Sequence, residues 1–190
     1  MQKSHLYRYL DERLVDFTPR KIAQPSLHEA GVLCAITDEA DPKILLTRRA
    51  MSLSSHQGEV AFPGGKRDST DASIVATALR EAQEEVALDP SQILVLTELD
   101  QVVSRFGYLV TPVLGIIKPQ QTFIANKDEL DAVFQVPISH FQKPPSQYFE
   151  RGRMRIPSYD YQDFHIWGLT AVMIVEMLNH FWGSDIQFKV

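Results

Sequence analysis

Residues 62–88 read FPGGKRDSTDASIVATALREAQEEVAL, a glycine pair followed by a run of helical periodicity that carries Glu81, Glu84 and Glu85. On a helix turning about 100° per residue these glutamates fall in one narrow arc, because spacings of three and four place side chains on one face. They make a single acidic patch. Val75, Leu79, Ala82 and Val86 follow an i, i+4, i+7, i+11 spacing on a different face, which predicts burial. The helix therefore has one side to bury and one side for chemistry.

The rest of the chain has to provide the layer that buries it. At 190 residues, with 44% hydrophobic and 23% charged residues, the chain fits a single folded domain rather than a disordered segment. A formal charge of −5 gives no global attraction for nucleic acid, so phosphate on a partner must be met by local Arg and Lys or by a bridging metal ion. Small ligands are the expected partners, not nucleic acid. The one cysteine, Cys34, sits among Val32, Leu33 and Ala35 and reads as a buried thiol in a strand, which suits a reducing compartment. The opening MQKSHLYRYLDERLVDF has charges throughout, and no run approaches a membrane span, so the expectation is a cytoplasmic protein without membrane partners. Oligomeric state stays open.

Leu6, Leu10 and Leu14 predict an amphipathic helix over 4–17, stopped by Pro19, in an N-terminal helical extension of residues 1–25. Residues 30–37 and 43–49 are short apolar runs around an acidic turn, as expected of a strand hairpin; 50–61 reads as a loop leading into the glycine turn. Strands are predicted at 93–99 and 108–117, with Pro112 making the second an edge strand or a bulged one. Residues 126–139 begin acidic and turn at Pro137, 142–163 read as polar loop, and 166–182 predict a C-terminal helix. Strands mixed with at least two helices indicate an α/β sandwich.

An acidic helix face is usually a solvated one, since like-charge pairs there cost only about 0.2–0.5 kcal/mol. Its surroundings favour a second reading. Clustered carboxylate oxygens suit a hard divalent cation such as Mg2+, and Gly64-Gly65, without side chains, allow backbone to approach a metal or phosphate closely. Both readings stay open on residue chemistry alone.

The segment resembles the Nudix hydrolase signature, G-x5-E-x7-R-E-U-x-E-E-x-G-U with U aliphatic, through Gly65, Arg80-Glu81, Glu84-Glu85 and Leu88. Asp71 stands at the first glutamate, one extra residue precedes Arg80, Ala82 is small for its position, and Ala87 replaces a glycine. Upstream, Leu45-Leu46-Thr47-Arg48-Arg49-Ala50, Gly58 and Phe62-Pro63-Gly64-Gly65 are similar to the L-L-T-x-R-[SA]-x3-R-x3-G-x3-F-P-G-G element of the coenzyme A pyrophosphatase branch, with Ser54 in place of its second arginine. Residues 108–112 and 166–171 resemble the same branch, so the likeness covers roughly 28–180.

The resemblance implies a Nudix-type α/β/α sandwich with a mixed sheet over residues 26–190, and a Mg2+- or Mn2+-dependent pyrophosphohydrolase. It implies Glu81, Glu84, Glu85 and the Gly64 carbonyl as metal ligands, and Gly65 against substrate. By charge, Arg80 can pair with Glu84 and fix it. Glu129, at an acidic rim, is the candidate extra carboxylate acting as base, and Arg49 the candidate phosphate contact; each could equally be solvated surface. His28 and His56 read as loop residues. The implied substrate is coenzyme A or a derivative; another nucleoside diphosphate, such as ADP-ribose or a dinucleotide, and a silent nucleotide-binding module are the alternatives.

Overall fold

A computed structural model describes residues 4–52 and 56–189. Ser54, singled out above, lies outside them. In chain order the elements are α1 (His5–Leu14), β1 (His28–Thr37), β2 (Lys43–Arg49), β3 (Val60–Ala61), β4 (Gly64–Lys66) and α2 (Ile74–Val86). They continue with β5 (Ile93–Glu98), β6 (Val102–Val103), β7 (Tyr108–Ile117), β8 (Leu130–Pro137), α3 (Ile138–Phe141), β9 (Gln147–Arg151), β10 (Met154–Tyr161), β11 (Phe164–Ile166) and α4 (Gly168–Phe181).

Strands β3-β2-β1-β7-β5 form the main mixed sheet, with β4 also on β1, β6 on β7 and β8 on β2. Because successive strand residues point to opposite faces, β1 and β2 each feed two cores. Leu33, Ala35 and Leu45 pack with Ala78, Ala82 and Val86 of α2. Cys34, Ile36, Ile44 and Leu46 belong to the opposite core with Ile174 and Leu178 of α4 and with Leu6 and Leu10 of α1. A sheet between helices is the expected α/β/α sandwich. Among the described residues no helix is long and apolar enough to cross a membrane.

Four local expectations need correction. β7 is a central strand, paired in parallel with β1 and antiparallel with β5 and β6, despite Pro112. The Pro112 carbonyl accepts the Leu99 N–H where β5 gives way to β6. In an extended strand the nitrogen of that residue faces the same side, so the missing donor falls at a gap in the ladder and breaks no bond. The irregular register lies instead in β5, between Val95 and Thr97. Residues 142–163 are not merely loop, since they hold β9 and β10, which with β11 make a separate three-stranded sheet. The exposed side chains of β9, and the unbroken buried run Pro157, Ser158 and Tyr159 in β10, gave these strands no apolar alternation to read. Residues 130–137 form β8 against β2, and α4 begins at Gly168, after Ile166 has ended β11. On α2, Ala82 and Val86 are buried as expected, joined by Thr77, Ala78 and Glu85, whereas Val75 and Leu79 are only partly covered.

Helix α2 starts on Ser73, whose side chain accepts the Ala76 N–H at 3.1 Å, and ends on Ala87 in the left-handed conformation, φ 56°. The Ala87 N–H still closes on the Gln83 carbonyl, but a Cβ in this region is strained. Ala87→Gly is expected to stabilise the fold by about 0.5–1 kcal/mol, the relieved strain exceeding the entropy that glycine adds to the unfolded chain. Urea denaturation would show it as a higher midpoint at unchanged slope.

Candidate active site

Arg80 directs all five of its N–H groups at protein acceptors. Nε and Nη2 meet the two oxygens of Asp71 at 3.0 Å each, Nη2 also meets the Lys66 carbonyl at 3.2 Å, and Nη1 is shared by Glu81 at 2.9 Å and Glu84 at 3.0 Å. Asp71 further accepts the Asp68 N–H and the Thr77 hydroxyl, both at 2.9 Å. Its side chain is only 5% exposed, and the Arg80 guanidinium holds its carboxyl well below the usual carboxylate range. A shorter side chain, one residue further from the arginine than in the pattern, thus reaches it in a bidentate pair.

The glutamates differ in exposure. Glu84 is open, its side chain 57% exposed, whereas Glu85 is 5% exposed and accepts the Gly64 N–H at 3.1 Å. Burial pushes the Glu85 carboxyl up to about 7; the Gly64 N–H and the Arg49 charge oppose this, and the charges of Glu81 and Glu129 reinforce it. Burial likewise raises Glu81, against the pull of Arg80. The Glu81 carboxylate lies over Gly65 so closely that a Cβ there would stand 2.5 Å from its Cδ and Oε1. Only glycine fits.

Glu129 comes from the segment before β8, which caps the end of α2: the Ile124 and Asn126 N–H groups donate to the Val86 and Glu85 carbonyls at 3.1 and 2.8 Å. The Glu129 carbonyl accepts the Ala50 N–H, one residue beyond Arg49. These bonds explain why Glu129 and Arg49 both act on the charge of Glu85. Arg49 forms no ion pair among the described residues, and its Nε is buried without a hydrogen-bond partner. All eight residues singled out from the sequence, Arg49, Gly64, Gly65, Arg80, Glu81, Glu84, Glu85 and Glu129, are therefore gathered at one place.

As the side chains stand, no three Asp, Glu, His or Cys groups among the described residues converge closely enough to hold a metal ion. Glu81 and Glu84 are tied to Arg80 and Glu85 to Gly64, and their oxygens are spread accordingly. The donor set still fits a divalent cation. It is all oxygen and faces a glycine turn. Two of its carboxylates are also raised by burial among like charges, a cost that a bound cation removes.

Helix, glycine turn and carboxylates in this order on a sheet between helices define one class of protein, and the NUDIX domain pattern matches residues 27–154. The chain belongs to the Nudix family and is a pyrophosphohydrolase of that family. The uncharacterized Nudix hydrolase NudL of Shigella flexneri serotype 5b (strain 8401) is 43% identical over 165 residues, 84% of this chain and 86% of the relative. NudL of Escherichia coli O1:K1 / APEC is 44% identical over 154 residues, 78% and 80% of the two chains. Among solved structures, the Nudix hydrolase RenU of M. smegmatis overlays with a TM-score of 0.51 at 25% identity, over 60% of this chain and 72% of its own. The MutT/nudix family protein of Enterococcus faecalis shares the fold, with a TM-score of 0.53 at 17% identity over 94% of this chain and 70% of its own.

Asp71 was legible as a departure from the pattern, but its grip on Arg80 was not, because the bond spans a loop of irregular length. Two measurements probe the site. A carboxyl whose folded pKa stands at about 7 keeps its proton while the unfolded chain, near 4.5, has lost it, so stability present below pH 4.5 is lost as pH rises through about 7. Without added divalent ions, thermal melts should show a loss on the order of 2–3 kcal/mol across that window. Glu85→Gln, which keeps an acceptor for Gly64, should flatten the slope; an unchanged slope assigns the titration to another group. Gly65→Ala should displace Glu81 and lower hydrolysis by about 10²-fold with the circular dichroism spectrum retained.

Proposed function

We propose that this hydrolase cleaves the pyrophosphate bond of coenzyme A or its derivatives, giving an adenosine bisphosphate and a phosphopantetheine. The convergence of Arg49, from the Leu45–Ala50 element, on Glu85, the carboxylate that accepts the Gly64 N–H, carries the proposal. That upstream element is the one similar to the coenzyme A branch, and its arginine stands beside the helix that bears the Nudix carboxylates.

Glu81, Glu84, Glu85 and the Gly64 carbonyl are the groups that would hold Mg2+ or Mn2+, which when bound neutralises the anhydride's charge and stabilises the departing phosphate. Arg80 fixes Glu81 and Glu84 from behind, leaving their remaining oxygens for the ion. The Arg49 guanidinium, free of any acidic partner among the described residues, offers charge-assisted donors to a phosphate oxygen. The Glu129 carboxylate takes the proton of the attacking water. The water oxygen bonds to phosphorus as the bridging P–O bond breaks, and the bridging oxygen leaves on the second phosphate.

The measurement is mass spectrometry of coenzyme A incubated with the protein and Mg2+. Expected products are the adenosine bisphosphate and the phosphopantetheine, with turnover about 10²-fold lower or less in Glu84→Gln and in Glu129→Gln. Intact coenzyme A alongside hydrolysed ADP-ribose or dinucleotide would move the substrate within the same class, consistent with Ser54 at the pattern's second arginine.

A further inference from the structure

The turn between β6 and β7 carries an aromatic side chain that nothing in the core requires. Phe106 is 52% exposed, yet its turn is tied down at four points. The Ser104 N–H donates to the Tyr108 carbonyl at 2.8 Å, the Gly107 N–H to the Ser104 carbonyl at 3.1 Å, and the Ser104 hydroxyl accepts the Phe106 and Tyr108 N–H groups at 3.3 and 3.1 Å. The ring is braced from a different loop: His56 meets it edge to face, centroids 4.6 Å apart at 78°. Exposed apolar side chains are usually left loose, whereas this one is held in place from two directions.

Both supports lead back to the site. The Gly58 N–H closes the His56 loop onto the Arg49 carbonyl at 3.1 Å, and His56 itself bonds Glu59 at 2.6 Å. On the other side, Tyr108 pairs in register with His28, and the Lys66 ammonium lies 5.3 Å from the Tyr108 ring centroid. Lys66 directly follows Gly65, and its carbonyl is bonded to Arg80. The Arg105 guanidinium, a planar cation, lies 4.6 Å from the Phe106 centroid. An aromatic plane with a guanidinium beside it, linked through its supports to groups arranged for a diphosphate, matches the chemistry of a nucleotide, whose base stacks and whose phosphates are anionic.

We propose that Phe106, with Arg105 beside it, is the stacking platform for the nucleobase of the substrate, an inference that rests on the nucleoside diphosphate reading above. Base and diphosphate are then read by different elements: the base by the β6–β7 turn, the diphosphate by the glycine turn, Arg49 and α2.

Calorimetric titration of the protein with AMP and with ribose 5-phosphate tests it, since the two differ only in the base and neither holds an anhydride. The parent should bind AMP about tenfold or more tightly than ribose 5-phosphate; Phe106→Ala should bring the two within about twofold, and Phe106→Trp should keep the preference. Unchanged melting temperatures show that both variants fold. Equal binding of the two ligands by the parent, or a preference that survives Phe106→Ala, overturns the platform. Coenzyme A turnover is read separately: a base preference lost in Phe106→Ala without coenzyme A hydrolysis keeps the platform and discards that substrate, and the reverse pair of results discards the platform alone.

Discussion

The five-fold engagement of Arg80 is the constraint on which the site depends. One planar cation joins the loop before α2 through Asp71, strand β4 through the Lys66 carbonyl, and the acidic face of α2 through Glu81 and Glu84. Removing any acceptor would leave a guanidinium donor without its partner in a half-buried setting. A lysine could not replace it, because an ammonium lacks the planar fork that meets Asp71 with two bonds while serving three further acceptors.

Around this cation the molecule concentrates negative charge that it does not fully neutralise. The charges of Glu84 and Glu129 push Glu81 up and those of Glu81 and Glu129 push Glu85 up, while Arg80 and Arg49 offset only part of that repulsion. Folding alone gains nothing from placing Glu85 in the interior, where burial disfavours its charge. The arrangement makes sense as a site that holds its carboxylates ready for a cation, with the rest of the core, two well-separated apolar layers on either face of the sheet, carrying the stability.

Much of this was legible in residue order because helical spacing is a local property. The positions of Glu81, Glu84 and Glu85 on one face follow from turn geometry, and the strands at 30–37, 43–49 and 108–117 follow from apolar runs between turn signals. What escaped was set by partners distant in sequence. Pro112 is tolerated in a central strand because its neighbour changes from β5 to β6 at that residue, which no inspection of 108–117 alone reveals. Strand β9 keeps its side chains largely in water and β10 buries Pro157, Ser158 and Tyr159 in succession, so neither shows the alternation of a half-buried strand. Glu129 stood out by charge, whereas Phe106, a single aromatic in a turn, has no periodicity to distinguish it; only the brace from His56 does.

The segment that caps α2 has a mechanical consequence. Its N–H groups are fastened to the carbonyls of Glu85 and Val86, and the Glu129 carbonyl accepts the Ala50 N–H, so Glu129 is tied both to the last turn of the helix and to the end of β2. The separation of the buried glutamate and Glu129 is therefore fixed at the junction of helix and sheet, and neither can shift without straining one of these bonds. The turn that holds Phe106 shares none of these bonds. Insertions or substitutions there can reshape what the enzyme accepts without altering the spacing of the carboxylates, which leaves ligand preference free to drift on a fixed chemical frame.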